Sequence, residues 1–525
     1  MKDLPIDIGT FSTVIENNYI YVDKTEDIYK IAKPGKKYFL SRPRRFGKSL
    51  LLSTIKELYR GNKLLFKDLY IYDKWDWDKK HPIVHLDFGE RTYSDENKLS
   101  DSLNNFIEIT AEDSDIQLKD NDLVVDRFSE LIKKLSKKTN QKVVILIDEY
   151  DKAIMDNIND LKLANSIRSE LNSFYSVLKS LDEFIEFMFI TGVTKFSKTS
   201  IFSGLNNITD ITLDYPCICG YTQKEIEFYF MDKISAFAEK NNVSDEDLLD
   251  LIKQWYNGYS WNGENFVYNP YSVLLLLKKN KFNNYWFTTG TPSFLINLLK
   301  SNVNNMDVLL NHNPQIMGEF PNFDFENLDF TTILLQTGYL TIKEEESIIG
   351  KLPKYTLSIP NKEVHDSLFT HILSYYTTQS VGAIPPLADQ MLTQIIKNDE
   401  ESLQRSFNIL LSNIPYSLYY NVKEDIREAN YHMMFLSWLQ LLGLDIQGGV
   451  LTSKGRMDAI LKKDDLIVVI EIKYSQNKSL SRMLNEALSQ IRKKEYYKSY
   501  INDKPILLAV AIKDRDVACK IEIIE

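Results

Sequence analysis

Gly47, Lys48 and Ser49 stand between an apolar stretch, KKYFLS, and a helix-forming one, LLLSTIKELY, a setting in which a backbone turn can hold phosphate. Amide N–H groups and the positive end of the helix dipole would face the anion. The lysine would reach the β and γ phosphates of ATP, and the serine hydroxyl would ligate Mg²⁺. The tripeptide alone is a weak signal. Here the loop departs from the usual G-x-x-x-x-G-K-S/T, because Arg42 stands at the first glycine and Pro43 removes one amide donor. Arg44 and Arg45 could restore charge-assisted contacts where backbone donors are missing; the alternative is that they are solvated surface charges.

A second constellation is VVILIDE, an apolar run ending in Asp148 and Glu149. Beside a phosphate loop, the first carboxylate would hold Mg²⁺ and the second would polarise the attacking water. A strand that merely ends in a charged turn would look the same, but the upstream loop in its strand-to-helix context weighs against that. PIVHLDF puts a further strand between the two motifs, as in ATPases with an additional central strand and a catalytic glutamate. The next strand, FITGVT, ends in hydroxyls, so Thr191 or Thr194 is a candidate γ-phosphate sensor, although strand propensity explains both about as well.

A third lies near the C-terminus, where GRMDAIL leads through a Lys-Lys-Asp-Asp turn into LIVVIEIK. Residues two apart on a strand face the same side, so Glu471 and Lys473 point together and Asp458 can meet them from the preceding strand. Two carboxylates offer hard oxygen ligands to Mg²⁺, and a metal with a lysine can activate water and stabilise a pentacovalent phosphate. An acid, a short gap and Glu-x-Lys make up the PD-(D/E)XK signature, with Met457 where proline is usual. Glu-x-Lys alone is common as an exposed ion pair.

PRRFGKS, LIDEYD, TGVTKFSKTSIFSGLNN, CGYTQKEI, YNGYSW and NYWFTTGT, with YVDKT at Tyr21 to Thr25, together resemble the bacterial AAA-ATPase-like proteins that carry a C-terminal PD-(D/E)XK nuclease domain. The resemblance runs over most of the chain. It implies that the arginine-rich loop is a shared feature, that YVDKT packs near the nucleotide base, and that Glu428, in the helix REANYHMMFLSWLQLLG, is an additional metal ligand. It also implies that Gln490, on ALSQIRKKEYY, orients the nuclease site.

These groups need an α/β chain to position them. Alternating strand and helix patterns to about residue 219 predict a P-loop ATPase core with a parallel sheet of five strands, Lys37–Ser41, Ile83–Phe88, Val143–Asp148, Phe187–Thr194 and Ile208–Leu213. Residues 220–300 read as a helical lid and 301–380 as a winged-helix connector. Residues 381–525 read as an α/β restriction-endonuclease-like domain, entered through a hinge at VGAIPPLADQ.

Length and composition agree. A chain of 525 residues, 44% hydrophobic and 26% charged, is a multidomain globular protein. Three cysteines and six histidines give neither a disulfide framework nor a structural zinc site, and no apolar run approaches the roughly 20 residues of a membrane span, so a cytoplasmic protein is expected. The net charge of −10 excludes a uniformly basic nucleic-acid coat, yet residues 30–63 hold eleven basic residues against one acid. The expected cofactors are ATP and Mg²⁺ and the expected partner is nucleic acid, DNA ahead of RNA. A homo-oligomer is left open, because an arginine finger in trans would need one. The leading reading is an ATP-regulated nuclease, suited to bacterial defence or mobile-element biology. The alternative is a nucleotide-dependent switch or DNA-binding protein without nuclease activity. A Ser/His/Asp or Cys/His hydrolase lacks a nucleophile elbow.

Overall fold

The computed structural model describes residues 2–119, 123–196, 201, 207–287, 314–318, 321–322, 329–412, 414, 424–442, 445–447, 457–463, 466–494 and 504–524. Two compact units divide the chain, one of Met1–Thr291 with Asn311–Val364, the other of Pro292–Leu310 with His365–Glu525.

The first unit begins with α1 (Phe11–Glu16), α2 (Thr25–Ile31), β1 (Lys36–Ser41), α3 (Lys48–Tyr59) and β2 (Ile83–Asp87). It continues through α4 (Glu96–Asp113), α5 (Val124–Thr139), β3 (Val143–Asp148), α6 (Lys152–Met155), α7 (Leu161–Ser180), β4 (Ile185–Gly192) and β5 (Thr209–Asp210). The five strands pair in parallel in the order β2-β3-β4-β1-β5. Every residue of β3 and β4 is buried, as a parallel sheet covered on both faces requires. The strand expected between the two phosphate motifs is therefore placed differently in space: β2 is an edge strand, and β4, carrying the threonines, separates β1 from β3.

A lid follows in α8 (Gln223–Asn241), α9 (Asp245–Tyr256) and α10 (Pro270–Lys279). Thr222 and Glu225 form a capping box on α8, and Asn269 caps α10 just ahead of Pro270, so sequence sets both starts. Ile226, Phe230, Ile252, Tyr256, Val273 and Leu277 fill the core between these helices.

The region expected to be a winged helix has β6 (Gln315–Met317), α11 (Phe330–Thr337), β7 (Thr341–Glu346), β8 (Lys354–Ser358) and α12 (Lys362–Thr377). Its sheet has three strands, one more than the hairpin that the sequence predicts. Ser260 N–H donates to Thr341 Oγ1 at 2.7 Å, and Lys195 N–H to Gln336 Oε1 at 2.9 Å, so β7 is tied to the lid and α11 to the ATPase core.

The second unit holds α13 (Ile384–Ile396), α14 (Glu400–Ser412), α15 (Glu424–Leu441), β9 (Asp445–Gln447), β10 (Met457–Lys463), β11 (Leu466–Tyr474), α16 (Leu480–Lys494), β12 (Ile506–Lys513) and β13 (Asp516–Ile523). The expected hinge at VGAIPPLADQ instead opens α13, because prolines are tolerated in a first helical turn, where no N–H is needed. Strand order is β13-β12-β11-β10-β9, with β11 and β12 parallel and the other pairs antiparallel. Ala487, Leu488 and Ile491 of α16 pack on Val469 and Leu507.

Candidate functional site

β1 ends at Ser41 and α3 starts at Lys48, so residues 42–47 form the turn between them. Gly47 has φ +90° and caps α3, a conformation that favours glycine. Lys48 Nζ donates to the carbonyls of Arg42 and Pro43, at 3.0 Å each. Arg44 to Leu51, with Gly89, Glu149, Lys152 and Asp156, line a cleft of about 620 Å³. The lining also includes the apolar side chains of Ile8, Ile20, Val22, Ile218 and Leu274, with Tyr221. A lining that combines cationic and apolar side chains suits a phosphate tail and a base. Tyr21, Val22 and Lys24 of YVDKT belong to this lining, with Lys24 held by Glu225 at 2.6 Å.

Arg44 and Arg45 both line the cleft, and Arg45 also pairs with Asp7 at 2.7 Å. Arg42 turns the other way. Its guanidinium is fully buried 3.8 Å over the Trp261 ring and donates to the carbonyls of Ser41, Thr212 and Tyr215 at 2.7, 3.0 and 2.7 Å. Burial pulls its pKa down to about 10. The first-glycine position is thus filled by a residue that pins β1 to the segment after β5.

Asp148 closes β3 almost fully buried, and Thr191 Oγ1 donates to its Oδ1 at 2.5 Å. Glu149 follows with φ +51°, a left-handed conformation that costs a residue with a Cβ about 1–3 kcal/mol and persists only where its surroundings impose it. Burial raises its pKa, opposed by Lys48. Of the two candidate sensors, Thr194 is spent elsewhere. Its hydroxyl and backbone N–H donate to Asp151 Oδ2 at 2.5 and 2.6 Å, and neither threonine is in the cleft lining. Asp151, the last acid of LIDEYD, was not singled out by the sequence reading. It is buried, with its pKa raised by that burial, and its role is to hold the end of β4.

In the second unit, β10 and β11 place Asp458 and Glu471 as direct partners in the antiparallel register. Lys473 Nζ lies 2.5 Å from Glu471 Oε1 and 2.6 Å from Gln490 Oε1. Gln490 follows Ala487 by three positions, so it shares the sheet-facing side of α16. Glu471 is 1% exposed, and its charge is offset by the lysine. Ile470 and Ile472 are buried too, as expected, but Val469, on the Glu471 face, is also core: β11 is covered on both sides.

Glu428 lies within α15, whose side is anchored by Tyr431. That ring stands 5.2 Å from Tyr474 at the end of β11, and its hydroxyl donates to the Asp514 carbonyl. The side chains of Glu428 and Asp458 lie outside the described residues. Among the described residues no group of three or more metal-ligating side chains is found, and no helix is long and apolar enough to cross a membrane.

Comparison with known proteins matches residues 5–202 to a model for a predicted AAA-ATPase and residues 426–522 to one for the PD-(D/E)XK nuclease superfamily. An uncharacterised protein from the vnfD 5′ region of Azotobacter chroococcum mcd 1 is 36% identical over 505 residues, 95% of this chain and 94% of that one. Among solved structures, Cdc6p from Pyrobaculum aerophilum aligns at 12% identity with a TM-score of 0.25, over 67% of this chain and 94% of that one, too weak a likeness to carry an argument. With both domain models matched in order and a relative aligned along nearly its whole length, the chain belongs to the family of AAA-ATPase-like proteins that carry a C-terminal PD-(D/E)XK nuclease superfamily domain.

Proposed function

We propose that the first unit binds and hydrolyses ATP and that this controls a metal-dependent nuclease in the second unit, which cleaves nucleic-acid phosphodiesters, DNA ahead of RNA. The observation that carries the nuclease reading is Lys473 held between Glu471 and Gln490, with Asp458 the register partner of Glu471. A buried carboxylate beside a lysine is costly to build and is typical of a site that handles charge.

Ser49 and Asp148 would hold Mg²⁺ in the first site, and Glu428, Asp458 and Glu471 in the second. Oxygen donors of this kind suit a hard cation, which when bound supplies Lewis acidity at the phosphate. Lys48, Arg44 and Arg45 bind the phosphate tail, and the amides at the start of α3 add to them. Glu149, its pKa raised by burial, is the base that takes a proton from water. In the second site Lys473 neutralises charge on the scissile phosphate, and Gln490 fixes its ammonium. A role in bacterial defence or mobile-element biology fits such a pairing.

The test is cleavage of a panel of single- and double-stranded DNA and RNA with Mg²⁺ or Mn²⁺, with and without ATP, comparing wild type with Glu471→Ala. Metal-dependent cleavage lost in the variant supports the proposal. Equal products from both proteins overturn it and leave a nucleotide-dependent switch.

A further inference from the structure

Two motifs, YNGYSW and NYWFTTGT, have no part in the phosphate chemistry, yet both grip the phosphate loop from outside. Trp286 Nε1 donates to the Arg44 carbonyl at 3.1 Å. Phe46 meets the Tyr259 ring edge-on at 4.8 Å and the Trp261 ring at 5.6 Å. The same two motifs also hold the start of α12. Gly258 has φ +99°, and a Cβ there would fall 1.9 Å from the Pro360 carbonyl oxygen, so only glycine allows this approach. Asn361 Nδ2 donates to the Asn257 carbonyl at 2.8 Å, and Asn361 Oδ1 accepts from Val364 N–H at 3.1 Å.

Glu363, in the first turn of α12, completes the link. Its Oε1 accepts the backbone N–H of Trp286 at 2.7 Å, and its Oε2 accepts from Ser272 Oγ at 2.8 Å. Ser272 belongs to α10, whose Pro270, Tyr271 and Leu274 line the cleft. Glu363 is therefore connected both to the loop, through one tryptophan, and to the cleft wall. It is fully buried among neutral donors, an arrangement too costly to persist without a tight surround.

We infer that Trp286 and Glu363 form a positioning relay through which nucleotide on the phosphate loop changes how firmly the first turn of α12 is held. Lys48 donates to the carbonyls of Arg42 and Pro43, and a bound phosphate competes for the same ammonium. The peptides that change partners on binding are thus next to the Arg44 carbonyl that the indole grips. Lys362 to Val364 belong to the first unit and the rest of α12 to the second, so at this turn the chain passes for the last time from the ATPase unit to the nuclease unit. The relay rests on the ATP-binding reading above.

The test is hydrogen–deuterium exchange on the full chain, following the peptide that covers residues 361–368, with and without a non-hydrolysable ATP analogue, alongside analogue affinity. The expected result is a nucleotide-dependent change in that peptide in wild type. In Trp286→Phe, which removes the indole donor together with part of the ring that packs on Tyr339, that change is lost while the analogue still binds. Glu363→Gln keeps the shape and an acceptor for the Trp286 N–H, so it retains the response and controls for disrupted folding. If wild type binds the analogue but the peptide does not respond, or if Trp286→Phe responds like wild type, the relay is overturned while ATP binding stands. If wild type does not bind the analogue, the ATP-binding reading fails and the relay with it.

Discussion

Thr191 donates its hydroxyl hydrogen to Asp148 across the neighbouring strands β4 and β3. A carboxylate so held has one oxygen fixed and the other left for a cation or its water, so the threonine orients Asp148 and does not itself need to touch phosphate. Thr191→Val, nearly the same size, should lower Mg²⁺-dependent ATP turnover about 10- to 100-fold, the usual cost of losing a partner of a ligand. Turnover measured against Mg²⁺ concentration checks this, with the deficit shrinking as Mg²⁺ rises.

Lys48 and Glu149 should separate binding from chemistry. Lys48→Ala is expected to weaken ATP binding directly, whereas Glu149→Gln should bind ATP normally and hydrolyse it at least about 100-fold more slowly. Calorimetric titration and phosphate release, run on the same preparations, distinguish the two; equal hydrolysis in wild type and both variants would remove the site assignment.

For the second unit, Asp458→Ala and Glu471→Ala should each abolish metal-dependent cleavage and leave ATP affinity unchanged. Gln490→Leu removes one acceptor of the Lys473 ammonium, and a loss of about tenfold in cleavage rate is expected, with the metal requirement retained. Initial rates across a Mn²⁺ titration report both effects.

Glu363 makes a prediction about pH. Burial lifts its pKa from 4.5 to about 7, so between those values the folded protein holds a proton that the unfolded chain has released. Unfolding then releases this proton, and the stabilisation, fully present below pH 4.5, is lost as pH rises towards 7. The span corresponds to about 3 kcal/mol. Chemical unfolding at pH 5 and pH 7.5 should show wild type losing more stability than Glu363→Gln over that interval.

Local pattern made much of this legible. The order of apolar runs and helices predicts β1 to β5, since a strand buried on both faces has to be apolar throughout, as VVILID is. Glu471 and Lys473 could be paired because a strand alternates strictly. Sequence says far less about groups that meet only through the fold. That Arg42 faces Trp261 depends on contacts more than 200 positions apart, and the assignment of Thr194 to Asp151 depends on where β4 falls beside β3. The helix α5 was legible too, since Phe128, Leu131, Ile132 and Leu135 recur at helical spacing on one face, although the reading above names neither it nor α4.

The buried guanidinium of Arg42 also bears on how the protein can be dissected. A fragment stopped at residue 219 would keep this cation but lose Trp261, leaving it with no ring to cover it, and would strip Tyr259 and Trp286 from the loop beside it. Such a piece contains every residue of the phosphate motifs and still exposes their underside to water. A fragment that keeps the nucleotide pocket, this backing and the rest of the first compact unit extends to Val364.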